Sequence, residues 1–206
     1  MDTLAADLWL EPWLPQLRSA VTRGPVLELG CDTGLDTAWL VNHGFRVTAT
    51  DVSARALEAT ARVASSAQCV HHDLREPMPF ADASFGVVIA SLCLHYFDWA
   101  TTVAAVREIR RCLAPQGLFL CRVNSERDVL HGAGRGEELE PRFYGQDAHY
   151  AACKRFFSAG DLDRLFPPVD WLEARRREVT IHRYAQPKVA WELALRPAGL
   201  HAVPAT

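Results

Sequence analysis

The stretch from Val26 to Gly34, Val-Leu-Glu-Leu-Gly-Cys-Asp-Thr-Gly, limits the fold of this chain more than any other feature. An apolar strand ends there in a glycine-containing turn, where a missing Cβ lets the backbone approach a ligand, and a helical pattern follows from about Asp36. Asp51 stands twenty-one residues after Gly30, at the end of the next predicted strand. In an open α/β sheet such an acid faces the crevice at the carboxyl ends of the strands. Its carboxylate can accept hydrogen bonds from both hydroxyls of a ribose, so the spacing predicts a nucleoside site.

Short β-branched runs alternate with longer helical patterns, which is typical of a parallel sheet covered on both faces. Ser53 is a predicted helix N-cap, and Ser158 begins a predicted capping box. The last two strands are joined by a short link, so we expect them to be antiparallel neighbours. We predict an α/β fold with a Rossmann-like, doubly wound, seven-stranded sheet, mostly parallel with an antiparallel C-terminal hairpin. The predicted strands are residues 26–29, 45–50, 68–71, 85–90, 118–123, 171–181 and 189–195, with a helix at 99–113 and a turn at 115–117.

Composition and charge exclude several classes of protein. The chain has 206 residues, 49 % hydrophobic and 23 % charged, so we expect a single globular domain over residues 1–206. Its 22 basic and 25 acidic side chains give a net charge of −3, without the basic excess of a nucleic-acid-binding protein, and the arginine run at 175–177 is expected to be solvated. No apolar stretch is long enough to cross a membrane, and the N-terminus does not resemble a secretory signal. The six cysteines form no Cys-x-x-Cys pair, so we expect reduced thiols and a cytoplasmic location.

A dinucleotide would use the same crevice, and the glycine pattern decides against it. Nicotinamide cofactors favour Gly-x-Gly-x-x-Gly, whereas the corresponding residues here are Gly30, Asp32 and Leu35, of which only the first matches. The Asp32 carboxylate would also repel a diphosphate. A ligand with a sulfonium and an ammonium suits acidic neighbours such as Glu28 better.

These residues resemble the first motif of the class I S-adenosylmethionine (SAM)-dependent methyltransferases, in which an acid precedes alternate glycines. The resemblance continues through a ribose-binding acid, an acid for the adenine amine, a loop under the cofactor, and the run at 109–117 that is similar to the signature between a helix and the fifth strand. It implies SAM as cofactor and a small-molecule methyl acceptor, with a further likeness to the tellurite-resistance methyltransferases. The cofactor-binding residues that it implies are Glu28, Gly30, Cys31, Asp32, Gly34, Asp51, Val52, Asp73, Leu74 and Ser91.

Two residues depart from the family pattern. Asp32 replaces the usual middle glycine, but aspartate tolerates a left-handed backbone better than most residues, so we expect the turn to form. Gly86 replaces an acid that often precedes the fourth strand, and we interpret this change as a neutral substitution at the protein surface. Because either change can mark a weakened activity, a SAM-binding or regulatory protein without catalysis is the second hypothesis, and a nicotinamide oxidoreductase is the third.

The acceptor leaves fewer traces, because the methyl group of SAM is already bonded to a good leaving group and no catalytic residue is obligatory. His95 and Tyr96 follow the fourth strand and either line the acceptor pocket or pack against the cofactor and the next helix. Residues 124–157 show no clear period and form either a lid over the acceptor or a solvated excursion. The apolar pattern in residues 1–23 predicts a helical cap. Its Trp9 and Trp13 either cover the cofactor or only pack the helix against its neighbours. The predicted acceptor-pocket residues are His95, Tyr96, Tyr144, Tyr150 and Arg155, and no metal site is expected because His71, His72 and His95 lack a ligand spacing.

Overall fold

A seven-stranded sheet dominates the computed structural model, which describes residues 7–145 and 153–199. The strands of this sheet are β1 (Val26–Leu29), β2 (Val47–Asp51), β3 (Gln68–His71), β4 (Phe85–Ser91), β5 (Leu113–Asn124), β9 (Trp171–Ile181) and β10 (Lys188–Pro197), and a smaller sheet contains β6 (Glu138–Glu140), β7 (Phe143–Tyr144) and β8 (Lys154–Arg155). The order in the large sheet is β3-β2-β1-β4-β5-β10-β9. Strands β1 to β5 pair in parallel, while β10 is antiparallel to both β5 and β9. The predicted fold class is confirmed.

Helices cover both faces of the large sheet. In the described part of the chain they are α1 (Leu14–Ala20), α2 (Leu35–Asn42), α3 (Ala54–Val63), α4 (Trp99–Cys112) and α5 (Ala159–Leu165). The predicted caps form, because Ser53 Oγ accepts from the backbone of Ala56 and Ser158 makes a reciprocal capping box with Asp161.

Strand β4 shows how one apolar run supplies two cores. Successive side chains of a strand point to opposite faces. Accordingly, Val87 and Ile89 belong to the cluster that contains α1, whereas Val88 and Ala90 belong to the cluster that contains α4 and α5. A strand that is buried on both faces therefore has no polar alternation.

The described N-terminal residues pack on the sheet. Helix α1 and two short 3₁₀ turns occupy residues 11–23, and Trp9, Trp13 and Leu17 are buried in the apolar cluster on that face. The indole N–H of Trp9 donates to Asp36 Oδ2 at 2.8 Å. Neither tryptophan lines the large cavity described below, so the geometry favours packing over cofactor contact.

Three sequence-based expectations need correction. The predicted turn at 115–117 lies inside β5, which keeps its pairing with β4 through a register shift and a left-handed Gln116 (φ +59°). Residues 124–157 contain three short strands that are too short to show a period. The glycine at position 86 is not a neutral substitution at the protein surface, because Gly86 is buried. An added Cβ would lie 2.3 Å from the carbonyl oxygen of Ala20 and 2.7 Å from that of Gly24.

Candidate functional site

The turn after β1 adopts the conformation that its glycines permit. Gly30 has φ +66° and Gly34 has φ +80°, both in the left-handed region. Asp32 also lies there, with φ +48°, so the turn forms around the residue that departs from the family pattern. Its N–H donates to Asp51 Oδ2 at 3.0 Å, which ties the turn to the end of β2.

Asp51 is fixed by two backbone donors. Its Oδ1 accepts from the N–H of Ser53 at 2.9 Å, and its Oδ2 accepts from Asp32. A carboxylate offers about four lone-pair sites, so two acceptor positions remain for a ligand. Asp51 also lines the large cavity, as a ribose-binding acid must.

Glu28 lies at the floor of the same end of the cavity, almost completely buried. Its Oε2 accepts from Thr37 Oγ1 at 2.5 Å. Burial, reinforced by the nearby Asp36 carboxylate, raises the pKa of Glu28 to about 8. The carboxyl group is therefore mainly protonated at neutral pH, until a cation is placed beside it.

One cavity of about 740 Å³ extends from this turn across the carboxyl ends of the strands. That volume lies in the range that small ligands and cofactors occupy. The predicted cofactor-binding residues that line it are Glu28, Gly30, Cys31, Asp32, Asp51, Val52, Asp73, Leu74 and Ser91, and the predicted acceptor residues that line it are His95 and Tyr96. The position fits the crevice beside β1 and β4, where the strand order reverses.

Asp73 and Ser91 also have side-chain partners in the structure. Arg75 binds both oxygens of Asp73 and holds the pKa of that carboxyl below its usual range. Ser91 Oγ accepts from Arg122 Nε at 3.1 Å, and the buried Arg122 also forms an ion pair with Asp7. A ligand that uses Asp73 would therefore share it with Arg75.

Gly34, Tyr144 and Arg155 are not among the residues that line the cavity. Gly34 is needed for packing instead, because an added Cβ would lie 2.7 Å from the Cα of Thr60.

Arg155 is buried, and its guanidinium donates to the carbonyl oxygens of Phe97 and Pro141 and to Glu140. Tyr144 packs beside the ring of Phe156. Tyr150 lies outside the described residues.

The cavity is also lined by residues that the sequence analysis did not place in the site. Lys188, Tyr184 and Arg183 come from the C-terminal hairpin, and Phe143, Cys153 and Lys154 come from the segment 124–157, which also supplies His131, a candidate residue of the predicted lid. They are more than 30 residues from His95 in the chain, so no local pattern connects them. The sequence contains one unusual feature that pointed to them, since only two of its residues are lysines. Both lysines line this cavity in the structure.

The fold and the cavity define a Rossmann-like α/β protein with a ligand-sized cavity at its switch point. Residues 27–121 match the sequence model of the family described as "Methyltransferase domain". The match spans slightly less than half of the chain, and the fold is shared with SAM-dependent methyltransferases of known structure.

Three similar proteins illustrate the relationship. The chain is 33 % identical over 157 residues to a malonyl-[acyl-carrier protein] O-methyltransferase of Enterobacter lignolyticus, which covers 73 % of this chain and 61 % of the relative. A SAM-dependent methyltransferase of Methanosarcina mazei has the same fold, with a TM-score of 0.75 and 16 % identity over 88 % of this chain and 96 % of that one. The 1,6-didemethyltoxoflavin N1-methyltransferase of Burkholderia thailandensis has a TM-score of 0.67 and 20 % identity, with coverage of 94 % and 82 %.

The curated relatives are longer than the aligned part of this chain. The chain spans about half their length, from 35 % to 61 %. None of the helices within residues 7–145 and 153–199 combines the length and the apolar character that a membrane-spanning helix needs.

Proposed function

We propose that this protein transfers a methyl group from SAM to a small-molecule acceptor. The observation that carries the proposal is one continuous cavity whose first end is the turn held by Asp51 and whose second end contains His95 and Lys188. A cofactor and an acceptor must share one enclosed space for the methyl group to pass directly between them.

The residues at the first end fit the cofactor. Asp51 has acceptor positions for the ribose hydroxyls, and Glu28 beside Gly30 suits the ammonium of the methionine end. Asp73 and Leu74 lie where the adenine is expected. When bound, SAM supplies a methyl group on a positively charged sulfur, which is a good leaving group.

The work of the chain is then to orient the acceptor and to exclude water. Phe97 and Phe143 supply apolar cavity wall, and Tyr96 adds a ring that is partly exposed. His131, Phe143, Cys153 and Lys154 all belong to the segment 124–157, which supports its proposed role as a lid over the acceptor.

Two observations support a small molecule as the methyl acceptor. The cavity volume suits a small molecule, and the toxoflavin enzyme with this fold contains 1,6-didemethyltoxoflavin and S-adenosylhomocysteine in its structure.

The likeness to tellurite-resistance enzymes and the role of residues 1–23 as a cap stay predictions. The six free cysteines support the proposed cytoplasmic location, since disulfides are rare there. The comparisons lend no support to the nicotinamide hypothesis.

Calorimetric titration with S-adenosylhomocysteine tests the proposal. We expect Asp51→Ala to weaken binding at least tenfold, which is about 1.4 kcal/mol, because the ribose loses a charged acceptor. Glu58→Ala is the matched control, since Glu58 is an exposed acid on α3 and does not line the cavity. Equal affinity in the native protein and the Asp51 variant would remove Asp51 from the site, and no binding at all would end the proposal.

A further inference from the structure

The two lysines of the chain lie at the same end of the cavity. Among 22 basic side chains only Lys154 and Lys188 are lysines, and both line it. A lysine ammonium is a compact point charge with three donors, whereas a guanidinium is a broad planar fork. A chain that uses arginine almost everywhere thus presents the smaller cation at this one place.

The Lys188 ammonium is held in a built site. Its side chain is only 7 % exposed, and Nζ donates to Asp128 Oδ2 at 3.0 Å. Asp128 is itself buried, and its Oδ1 accepts from the N–H of Val189 at 3.1 Å and lies 2.8 Å from His131 Nδ1. Asp128 takes one of the three ammonium donors, so the cation is fixed in place with donors left for a ligand.

His95 is the second polar group of this end. The side chain is 2 % exposed and lines the cavity, and no described residue supplies a hydrogen-bond partner for its Nδ1. Burial, with the positive charges of Lys188 and Lys154, holds the pKa of His95 well below its usual value. The imidazole is therefore neutral and a weak base, suited to donating one hydrogen bond rather than to removing a proton.

The two ends of the cavity differ in their charges. The acids Glu28, Asp32, Asp36, Asp51 and Asp73 are at the cofactor end, where Arg75 is paired with Asp73 and the charge of Arg183 acts on Asp36, whereas the cations Lys154 and Lys188 lie near His95. One acid, Asp98, lines the cavity near His95, but its carboxylate caps α4 by accepting from the N–H of Thr101 at 2.7 Å. An acceptor that arrives as an anion matches this arrangement, while an amine would meet cations of its own sign.

We infer that the methyl acceptor is a small organic carboxylate, which receives hydrogen bonds from the Lys188 ammonium and the His95 ring. This inference rests on the proposed function and adds the chemical class of its substrate. An ionised acceptor needs no general base, which agrees with a site that offers a neutral buried histidine and cations instead.

The step balances without any further reactant. A carboxylate oxygen forms a bond to the methyl carbon while the carbon–sulfur bond breaks and its electron pair stays on sulfur. The products are a methyl ester and S-adenosylhomocysteine, and no proton is transferred. Lys188 and His95 are thus proposed to orient the nucleophile and not to activate it.

The test compares free carboxylic acids with matched alcohols, amines, thiols and amides. Methyl transfer from labelled SAM is measured together with the rate at which an acylating reagent modifies Lys188, followed by mass spectrometry in the presence of S-adenosylhomocysteine. We expect base-labile methyl esters from carboxylates, and slower modification of Lys188 with a carboxylate than with its amide.

Variants separate a binding role of Lys188 from a structural one. Lys188→Met with Asp128→Asn removes both charges and leaves no buried carboxylate alone, and we expect kcat/KM for carboxylates to fall at least tenfold while the affinity for S-adenosylhomocysteine changes less than twofold. Lys188→Arg is expected to recover little of the loss, because the larger fork does not fit. Arg46→Met removes an exposed positive charge outside the cavity and serves as the control.

Each result decides the matter. A double variant that methylates carboxylates at the native rate would show that Lys188 only pairs with Asp128. If S-adenosylhomocysteine binds but no carboxylate is methylated or protects Lys188 better than its amide, the inference is overturned and the proposed function stands. If S-adenosylhomocysteine does not bind, the proposed function fails first.

Discussion

Replacing Glu28 by glutamine removes a titration that the fold has moved into the neutral range. The pKa of Glu28 is about 8 in the folded protein against 4.5 without the fold, mainly because of burial. Between these values the folded state keeps a proton that the unfolded state releases, so stability falls as the pH rises. The linkage relation with these two pKa values gives a loss of about 2 to 3 kcal/mol between pH 5 and pH 7. Glu28→Gln keeps the acceptor for Thr37 but lacks this loss.

Urea unfolding of the native protein and of Glu28→Gln, each at pH 5 and pH 7, measures the effect. The histidines and other titrating groups are shared by both proteins, so the difference between the two pH dependences isolates residue 28. We expect the native protein to lose about 2 to 3 kcal/mol more than the variant over this interval. Identical pH dependences would refute the assignment of a buried, protonated Glu28.

The same substitution also reports on the cofactor. If the ammonium of the ligand lies beside Glu28, binding at pH 7 must lower the pKa of Glu28 and release up to one proton. Calorimetry of S-adenosylhomocysteine in buffers with different ionisation enthalpies measures that proton. We expect release from the native protein and none from Glu28→Gln, and equal release from both would place the ammonium elsewhere.

Two further substitutions test a close backbone contact near the start of β4 and the turn after β1. Gly86→Ala should lower the free energy of unfolding by about 2 to 3 kcal/mol, since its Cβ would meet two backbone carbonyl oxygens; Gly160→Ala, whose Cβ would meet only Ser158 Oγ at 3.8 Å, is the control in the same urea assay. Asp32→Gly should relieve a left-handed aspartate and change stability by less than about 1 kcal/mol, with methyl transfer present both before and after. Turnover that appeared only in the Asp32 variant would instead favour the binding protein without catalysis.

The large sheet was predictable because its strands are long enough to carry a pattern. The continuous run Val87-Val88-Ile89 indicates burial on both faces, and the structure places these residues in two opposite clusters. The turn at 115–117 was mislocated because proline and glycine normally end a strand. Here the pairing of Leu113 with Phe85 and of Leu118 with Val87 holds the chain in the sheet on both sides of the irregularity.

The cofactor end of the site was predictable for a related reason. Glu28 and Gly30 lie around the end of β1, Asp51 is the last residue of β2, and neighbouring parallel strands end at one edge of the sheet. Gly86 shows the opposite case, since its need for no Cβ arises from the backbone of Ala20 and Gly24, which sequence spacing does not reveal. Arg155 likewise has a charged side chain of the kind that often lines a pocket. In the structure its guanidinium instead donates to backbone carbonyl oxygens, which only the tertiary structure brings together.

The acceptor end is assembled from distant parts, and these parts differ in how firmly they are held. Lys188 begins β10, and the pairing of Ala190 with Asn124 of β5 brings it beside Asp128, just beyond the end of β5. Its charge is therefore placed by the sheet itself. Lys154 instead lies on a two-residue strand of the segment 124–157. Because loops vary more readily than strands, changes in that segment can alter the shape of the accepted molecule while Lys188 preserves the requirement for its negative charge.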